Sequence, residues 1–244
     1  MQVARNPYIS VDCVIFGFDN GELKVLLVHQ KNTISGNNRE LIKLPGDLII
    51  RHELLDQSAK RILMELTGVK DIFLKQFGLF DNPARLNPSE DLTWLKDTSG
   101  MEVDRVITIA FYSLVKLNPT SLSNLNISEN AFWHPVNNLP HLMFDHNTIV
   151  NEGLETLRKE FLTEPLCFEL LPKKFTLNQL QNIYEVILGF QLDNRNFRKR
   201  INRLGYIIPL NERQTGVNHK PARLYVFNEE KYDVLKKDHT GFVV

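Results

Sequence analysis

Cysteine is nearly absent from this chain: Cys13 and Cys167 are the only two in 244 residues. Two thiols are too few for a disulfide scaffold, or for a zinc site built on several thiolates. No apolar run approaches the ~18 residues that a membrane-spanning helix needs. The opening stretch MQVARNPYIS has no apolar core of the signal-peptide kind, so a cytoplasmic protein with no membrane partner is expected. No internal repeat or low-complexity tract is visible. Net charge is missing too, with 29 Lys+Arg against 29 Asp+Glu, which argues against a strongly basic polyanion binder and against a highly charged disordered tail. What remains is ordinary globular composition, and the length allows roughly two domains of about 100–200 residues each.

The zero net charge is a sum of two unlike parts. Residues 172–244 hold 13 Lys+Arg and 7 Asp+Glu, a net of +6, leaving 16 and 22 in residues 1–171, a net of −6. An acidic front and a basic back of this kind point towards nucleic-acid contact by the basic part.

Along the front, YISVDCVIFGF (8–18) is a β-branched and aromatic run suited to a buried strand. Asp19-Asn20-Gly21 is a tight-turn signal, and a second strand follows from Glu22 to His29. Residues 30–40 read as a loop. Residues 56–66 read as a helix, because Ala59, Ile62, Leu63 and Leu66 recur at helical spacing between Asp56 and the stop Gly68. Strands are expected near 72–80 and 106–115. The polar stretch between them, Asp81 to Asp104, is long enough to be a functional lid or a disordered insertion. A strand-like patch around Trp133 precedes a helix over 145–163, and the Pro-bounded segment 164–172 links to the basic part. The expected domains are therefore 1–163 and 164–244.

In the back part, Thr176-Leu177-Asn178-Gln179 fits a capping box opening a helix that buries Leu180, Ile183, Tyr184 and Ile187 and stops at Gly189. Asp193 caps a second helix running to about Leu204. On it Phe197, Ile201 and Leu204 share one face, and Arg195, Lys199, Asn202 and Arg203 fall on the other. Asn196, Arg198 and Arg200 flank them. Arg and Lys can pair guanine edges or phosphates, and Asn can pair adenine. Two wing strands follow, 206–208 and 224–227. The loop between them carries Arg213, His219, Lys220 and Arg223, with Glu212 its one acid. Taken alone, the run RNFRKRINR reads more readily as a solvated helix face. The order helix, turn, basic helix, hairpin favours a winged helix on double-stranded DNA.

Residues 44–69, LPGDLIIRHELLDQSAKRILMELTGV, resemble the Nudix box G-x5-E-x7-R-E-U-x-E-E-x-G-U, with U a bulky apolar residue. Glu53, Arg61, Leu63, Glu65, Gly68 and Val69 fall on matching positions. Asp47 replaces the first glycine, Ile62 the glutamate after the arginine, and Leu66 the second glutamate of the pair. The resemblance implies an α/β/α sandwich with a mixed sheet. Apolar side chains cannot ligate a hard cation, so no catalytic residue, no metal and no cofactor are expected. Magnesium enters only if the chain is instead a Nudix hydrolase of nucleoside diphosphate derivatives.

A degenerate Nudix front followed by LDNRNFRKR and PARLY resembles the Nudix-related transcriptional regulators over nearly the whole length. The resemblance implies a homodimer that binds operator DNA through its winged helix and senses a small molecule, in most cases as a repressor. Characterised members are similar either to NAD-metabolism regulators responding to ADP-ribose or to sugar-catabolism regulators responding to arabinose, and this chain more closely resembles the second branch. The insertion Pro83 to Asp104 departs from the family pattern. Lys43, Glu53, Glu65 and Arg105 are the candidate effector-binding groups. His134, His141 and His146 lack partners at metal-ligand spacing. Cys13 reads as inert core, and Trp94 as a loop anchor or a stacking residue. An RNA- or protein-binding adaptor is the third reading.

Overall fold

The computed structural model describes residues 5–19, 21–32, 39–86, 91–100, 102–117, 127–218 and 220–237. They form two compact units, one made of Met1–Asp19 and Leu23–Glu155, the other of Asn20–Glu22 and Thr156–Val244. Among the described residues no helix is long and apolar enough to cross a membrane.

The front unit is a seven-stranded mixed sheet with path β3-β2-β1-β6-β5, to which β4 adds on β1 and β7 on β2. The strands are β1 (Arg5–Asp19), β2 (Glu22–Asn32), β3 (Arg39–Lys43), β4 (Gly46–Ile50), β5 (Lys75–Phe80), β6 (Ile107–Lys116) and β7 (Ala131–Pro135). Strands β1 and β6 run parallel from Ile9↔Ile107 to Phe18↔Lys116, whereas β1 with β4, β2 with β3, β2 with β7 and β5 with β6 pair antiparallel. Residues 11–18 of β1 are all buried. A strand covered on both faces reads as a continuous apolar run rather than an alternating one, which is why 8–18 is so uniformly apolar.

Helix α1 (Leu55–Thr67) starts with the Gln57 side chain accepting from the Leu54 N–H at 3.1 Å and ends on Gly68 at φ 77°. A left-handed residue after the last turn favours glycine because it has no Cβ to clash. Ala59, Ile62 and Leu63 pack into a core with Val11, Cys13, Ile15, Leu26, Ile49, Ile109 and Phe111. Burial pushes the Cys13 thiol far up, so it stays protonated.

Sequence reasoning missed β3 and β4, which lie in and just after the stretch read as a loop. It also assigned no regular structure to 81–104. Helix α2 (Asp91–Ser99) forms there, and Leu95 and Val103 make a small core with Leu48 and Val106. Few apolar residues are enough, because the sheet supplies the other half of the core. Trp94's side chain lies outside the described residues.

Helix α3 (His146–Thr163) leads to the back unit, which contains α4 (Cys167–Leu170), α5 (Leu177–Leu188), α6 (Asn194–Ile201), β8 (Ile207–Arg213), β9 (Arg223–Phe227) and α7 (Glu229–Lys237). The capping box is formed: Thr176 Oγ1 accepts from the Gln179 N–H at 3.2 Å, and Gln179 Oε1 accepts from the Thr176 N–H at 2.8 Å. Gly189 closes α5 at φ 80°. Asp193 Oδ1 accepts from the Asn196 N–H at 2.8 Å and caps α6. Edge-to-face contacts run from Phe161 to Tyr184 (centroids 4.9 Å) and from Tyr184 to Phe197 (5.7 Å), so one aromatic on α5 touches both neighbouring helices. Strands β8 and β9 pair as the wing.

Candidate functional site

Helix α6 is eight residues long and stops at Ile201, three short of the expected Leu204; Asn202 and Arg203 lie in the turn that Gly205 (φ 72°) completes. Phe197 and Ile201 are buried. Arg195, Asn196, Arg198, Lys199, Arg200, Asn202 and Arg203 are all exposed. One apolar stripe therefore holds the helix on the domain, and the rest of its circumference is available and cationic. Arg198 Nη2 donates to Asn178 Oδ1 at 2.8 Å, which fixes α6 against the first turn of α5. In the wing, Arg213 Nη1 donates to Pro221 O at 3.0 Å and Arg223 Nε to Leu210 O at 2.8 Å. These two arginines staple the wing as well as charging it. Glu212 is held by Lys174 at 2.6 Å, which neutralises the wing's one acid. Lys220 is exposed at the tip. His219 lies outside the described residues.

The front unit contains a cleft with about 410 Å³ of space not filled by protein, open solvent included. Its polar lining is Ser10 and Asp12 from β1, Lys43 from β3, Asp47 from β4, Thr108 from β6, Arg85 and His146. Of the four groups expected to bind an effector, Lys43 lines this cleft and the other three do not. Glu53 accepts from Arg61 through both oxygens (2.7 and 2.9 Å) and from Ser58 Oγ at 2.7 Å. These donors hold its carboxyl below the usual range, the Arg61 hydrogen bonds contributing most. Glu65 is exposed and accepts from Arg61 at 3.1 Å. Arg105 is exposed and donates to Asp81 O at 3.1 Å.

This arrangement also decides how a divalent cation would fit. Magnesium needs several oxygens in an octahedral set. Glu53 is already saturated by Arg61 and Ser58, and Glu65 shares the same arginine. At the helix positions that would complete the set, Ile62 is fully buried in the core and Leu66 packs against it. The residues present do not fit a magnesium site.

The cleft's charges are buried and mutually arranged. Arg85 lies almost entirely out of solvent. Its Nε and Nη2 donate to Asp145 Oδ2 and Oδ1 at 3.0 and 2.6 Å, and its Nη1 donates to Thr108 Oγ1 and to Val106 O. A bidentate pair of this type satisfies both charges and fixes the guanidinium plane. Lys43 Nζ donates to Gly46 O. Burial pushes the Lys43 ammonium down from its ordinary value, against the pull of Asp12 and Asp47. Burial raises the Asp12 carboxyl to about 6, with Lys43 and Arg85 pulling the other way.

His146 Nδ1 accepts from the Leu44 N–H at 3.0 Å, and its Nε2 lies 3.5 Å from Asp12 Oδ1. A backbone donor on Nδ1 requires a lone pair there, so the ring is neutral with its proton on Nε2. Burial and Lys43 push its pKa down to about 3. Between pH 3 and 6.5 the unfolded chain therefore binds more protons at this residue than the folded chain, and the stability His146 provides is lost as pH falls through that window. The destabilisation caused by His146→Gln is expected to be larger at pH 7 than at pH 4, by about 3 kcal/mol. Urea unfolding of both proteins at the two pH values measures it, and an equal difference at both would show that the ring is not held neutral.

Sequence reasoning did not find Asp12 or Arg85, and it considered His146 only as a metal ligand. One signal was available: Asp12 is the lone charge inside an apolar strand. Arg85 gave none, since it comes from the inserted segment and meets Asp145 across 60 residues.

Comparison with known proteins agrees with both halves. Residues 167–227 match the family described as "NrtR DNA-binding winged helix domain". A relative from Acinetobacter baylyi, the ADPR responsive transcriptional repressor NtrR, is 28% identical over 232 residues, covering 93% of this chain and 85% of the relative. The crystal structure of Shewanella oneidensis NrtR complexed with a 27mer DNA matches with TM-score 0.65 at 25% identity, covering 92% of this chain and 95% of that one. A MutT/nudix family protein from Enterococcus faecalis shares the fold, with TM-score 0.63 at 20% identity over 91% of this chain and 87% of that one. The chain is thus similar over nearly its whole length to the NrtR-type Nudix-related regulators, with a Nudix-fold front and, over residues 167–227, an NrtR-type DNA-binding winged helix.

Proposed function

We propose that this chain is an ADP-ribose-responsive transcriptional repressor, acting as a homodimer on operator DNA and releasing it when the effector fills the Nudix-fold cleft. The observation that carries the reading is the conjunction, in one chain, of an exposed cationic α6 with a Nudix-fold front whose metal-ligand positions are filled by the core residues Ile62 and Leu66. Lys43 and Arg85 line the cleft, where Asp12, Asp47 and Asp145 balance them. The Acinetobacter relative, similar over nearly the whole length, is named for its response to ADPR. None of the relatives described above is named for a sugar, so the arabinose-type effector is not carried forward. The hydrolase reading is not favoured either, given Ile62, Leu66 and the Arg61-bound glutamates. A symmetric dimer presents two α6 helices to half-sites about one helical turn, or a multiple of it, apart.

An effector can shift DNA affinity only by its own difference in affinity between the DNA-bound and DNA-free states. Helix α3 begins at His146, a cleft residue, and ends at Thr163, close in sequence to the winged helix. It is the covalent route by which cleft occupancy would reach α6. The test is a gel shift on double-stranded DNA from upstream of the chain's own gene, at fixed salt, with ADP-ribose or arabinose added. ADP-ribose is expected to weaken the shift at least tenfold and arabinose to leave it unchanged. DNA binding indifferent to ADP-ribose would overturn the effector assignment.

A further inference from the structure

The two compact units divide within α3, not after it: Thr156 to Thr163 belong with the back unit. The matched winged-helix family begins only at residue 167. The last two turns of α3 therefore lie outside the matched domain and are still built into its body. Leu157 and Phe161, one turn apart, are fully buried, and Phe161 meets Tyr184 of α5 edge-to-face.

Arg158 stands beside that apolar stripe and is half-buried. Its Nε donates to Ile187 O at 3.0 Å. Ile187 lies in the last turn of α5, where carbonyls have no partner within the helix. Gly189, the left-handed residue that ends α5, lies against the same guanidinium, since a Cβ there would be 2.8 Å from Arg158 Nη2. A cation at this place satisfies an orphan carbonyl and complements the negative end of the helix. Arg158 is thus a C-terminal cap for α5 supplied by another helix. Beyond it, α5 and α6 are tied to each other. Gln181 Nε2 donates to Leu192 O at 3.1 Å, and the Leu192 N–H donates to Glu185 Oε1 at 2.9 Å, which fixes the turn between them. Arg198 is bonded to Asn178, and Phe197 packs on Tyr184. The placement of α6 therefore follows that of α5, and α5 is set on α3 by Phe161 and Arg158. Of these two contacts the hydrogen bond is the directional one.

We propose that Arg158 is a positioning residue for DNA reading: by capping α5 from α3 it sets the angle at which α6 meets base edges, without contacting DNA itself. The proposal rests on the operator-binding reading above. Base edges are read through short, directional contacts, so a tilted α6 loses them. Attraction to phosphates is electrostatic and independent of sequence, so it tolerates the same tilt. Arg158 therefore acts on specificity more than on general affinity for DNA.

The test measures binding of the full chain to DNA from upstream of its own gene and to random DNA of the same length, at several salt concentrations, with urea unfolding of each variant alongside. Arg158→Met keeps the apolar stem and removes the donors. It is expected to weaken binding to the upstream DNA about tenfold, to leave random DNA within twofold, and to leave the slope of log affinity against log salt unchanged. Arg158→Lys, which keeps a cationic donor, is expected to recover most of that loss. Arg158→Gln, a milder truncation with a polar end, decides the matter if Arg158→Met does not fold. Weaker binding to both DNAs with a flatter salt slope would make Arg158 a phosphate contact. An unchanged preference for the upstream DNA, whatever the stability, would make it a cap and nothing more. Either result would overturn the proposal and leave operator binding standing. A wild type without preference for the upstream DNA would overturn the operator reading, and this proposal with it.

Discussion

Alanine at both Arg195 and Lys199 is expected to reduce operator binding by about 100-fold or more, while leaving the fold and the cleft intact. Both side chains are exposed on α6 and neither is part of its buried stripe, which consists of Phe197 and Ile201. Each good side-chain contact to a base edge carries about 1–3 kcal/mol of discrimination. Each phosphate contact adds close to one unit to the slope of log affinity against log salt. Binding measured from 50 to 200 mM salt separates the two roles. A contact to bases costs affinity on the operator and little on random DNA, whereas a contact to phosphates lowers both and flattens the salt dependence. A shift that survives the double change would mean that α6 is not the reading helix. Arg198→Ala is a useful contrast. Its guanidinium is tied to Asn178, so its loss would loosen α6 on α5 and register in stability as well as in DNA binding.

Gly46→Ala is expected to be the most damaging single change in the front unit. Gly46 on β4 pairs with Asp12 on β1, and a Cβ at Gly46 would sit 1.6 Å from Asp12 Oδ1, 2.7 Å from its Cγ and 3.1 Å from the Val11 carbonyl oxygen. Glycine is required here for close approach, not for a special backbone angle. Asp12 is buried, and His146 Nε2 lies beside it, so its carboxylate has nowhere to go. The strands must part or the carboxylate must leave its site beside Lys43. Overpacking costs about 1–3 kcal/mol and breaking a buried charged arrangement about 3–5 kcal/mol, so a loss of about 3–5 kcal/mol in urea unfolding is expected, with effector binding lost alongside. Adding Asp12→Ala to Gly46→Ala removes the clashing atoms and should recover part of the loss, a non-additivity that a simple sheet defect would not give. A Gly46→Ala protein within about 0.5 kcal/mol of wild type would contradict the geometry.

The two predictions differ in how visible their residues were beforehand. The winged helix could be read from local signals alone. A capping box, two glycine stops, an aspartate cap and a period of apolar residues each act over a few positions, and each forms as expected. The error was one turn at the end of α6, where Gly205 rather than the apolar Leu204 governs the geometry. Around the cleft, α1 forms as expected and Lys43 lines the space. Local reasoning failed where burial is shared between distant segments. The polar stretch 81–104 gave no sign of a helix, because Leu95 and Val103 reach a full core only against Leu48 and Val106 of the sheet.

Glu53 and Glu65 illustrate the same limit from the other side. Box spacing marked them as ligand groups, and spacing cannot tell whether a carboxylate faces a cleft or an arginine one turn away. Arg61, itself part of the box, holds both. The two-part organisation, the opposite charges of the parts and the loss of the metal-ligand positions were legible in the chain before any folding. These follow from side-chain chemistry and from periodicities of a few residues. The tertiary structure alone decided which charges form the cleft, because Asp12, Arg85, Asp145 and His146 come from segments up to 134 positions apart and meet only when β1, the insertion and the turn before α3 pack around one low-dielectric space. Burial, and not residue type, gives those groups their shifted protonation, and burial is a property of the folded chain.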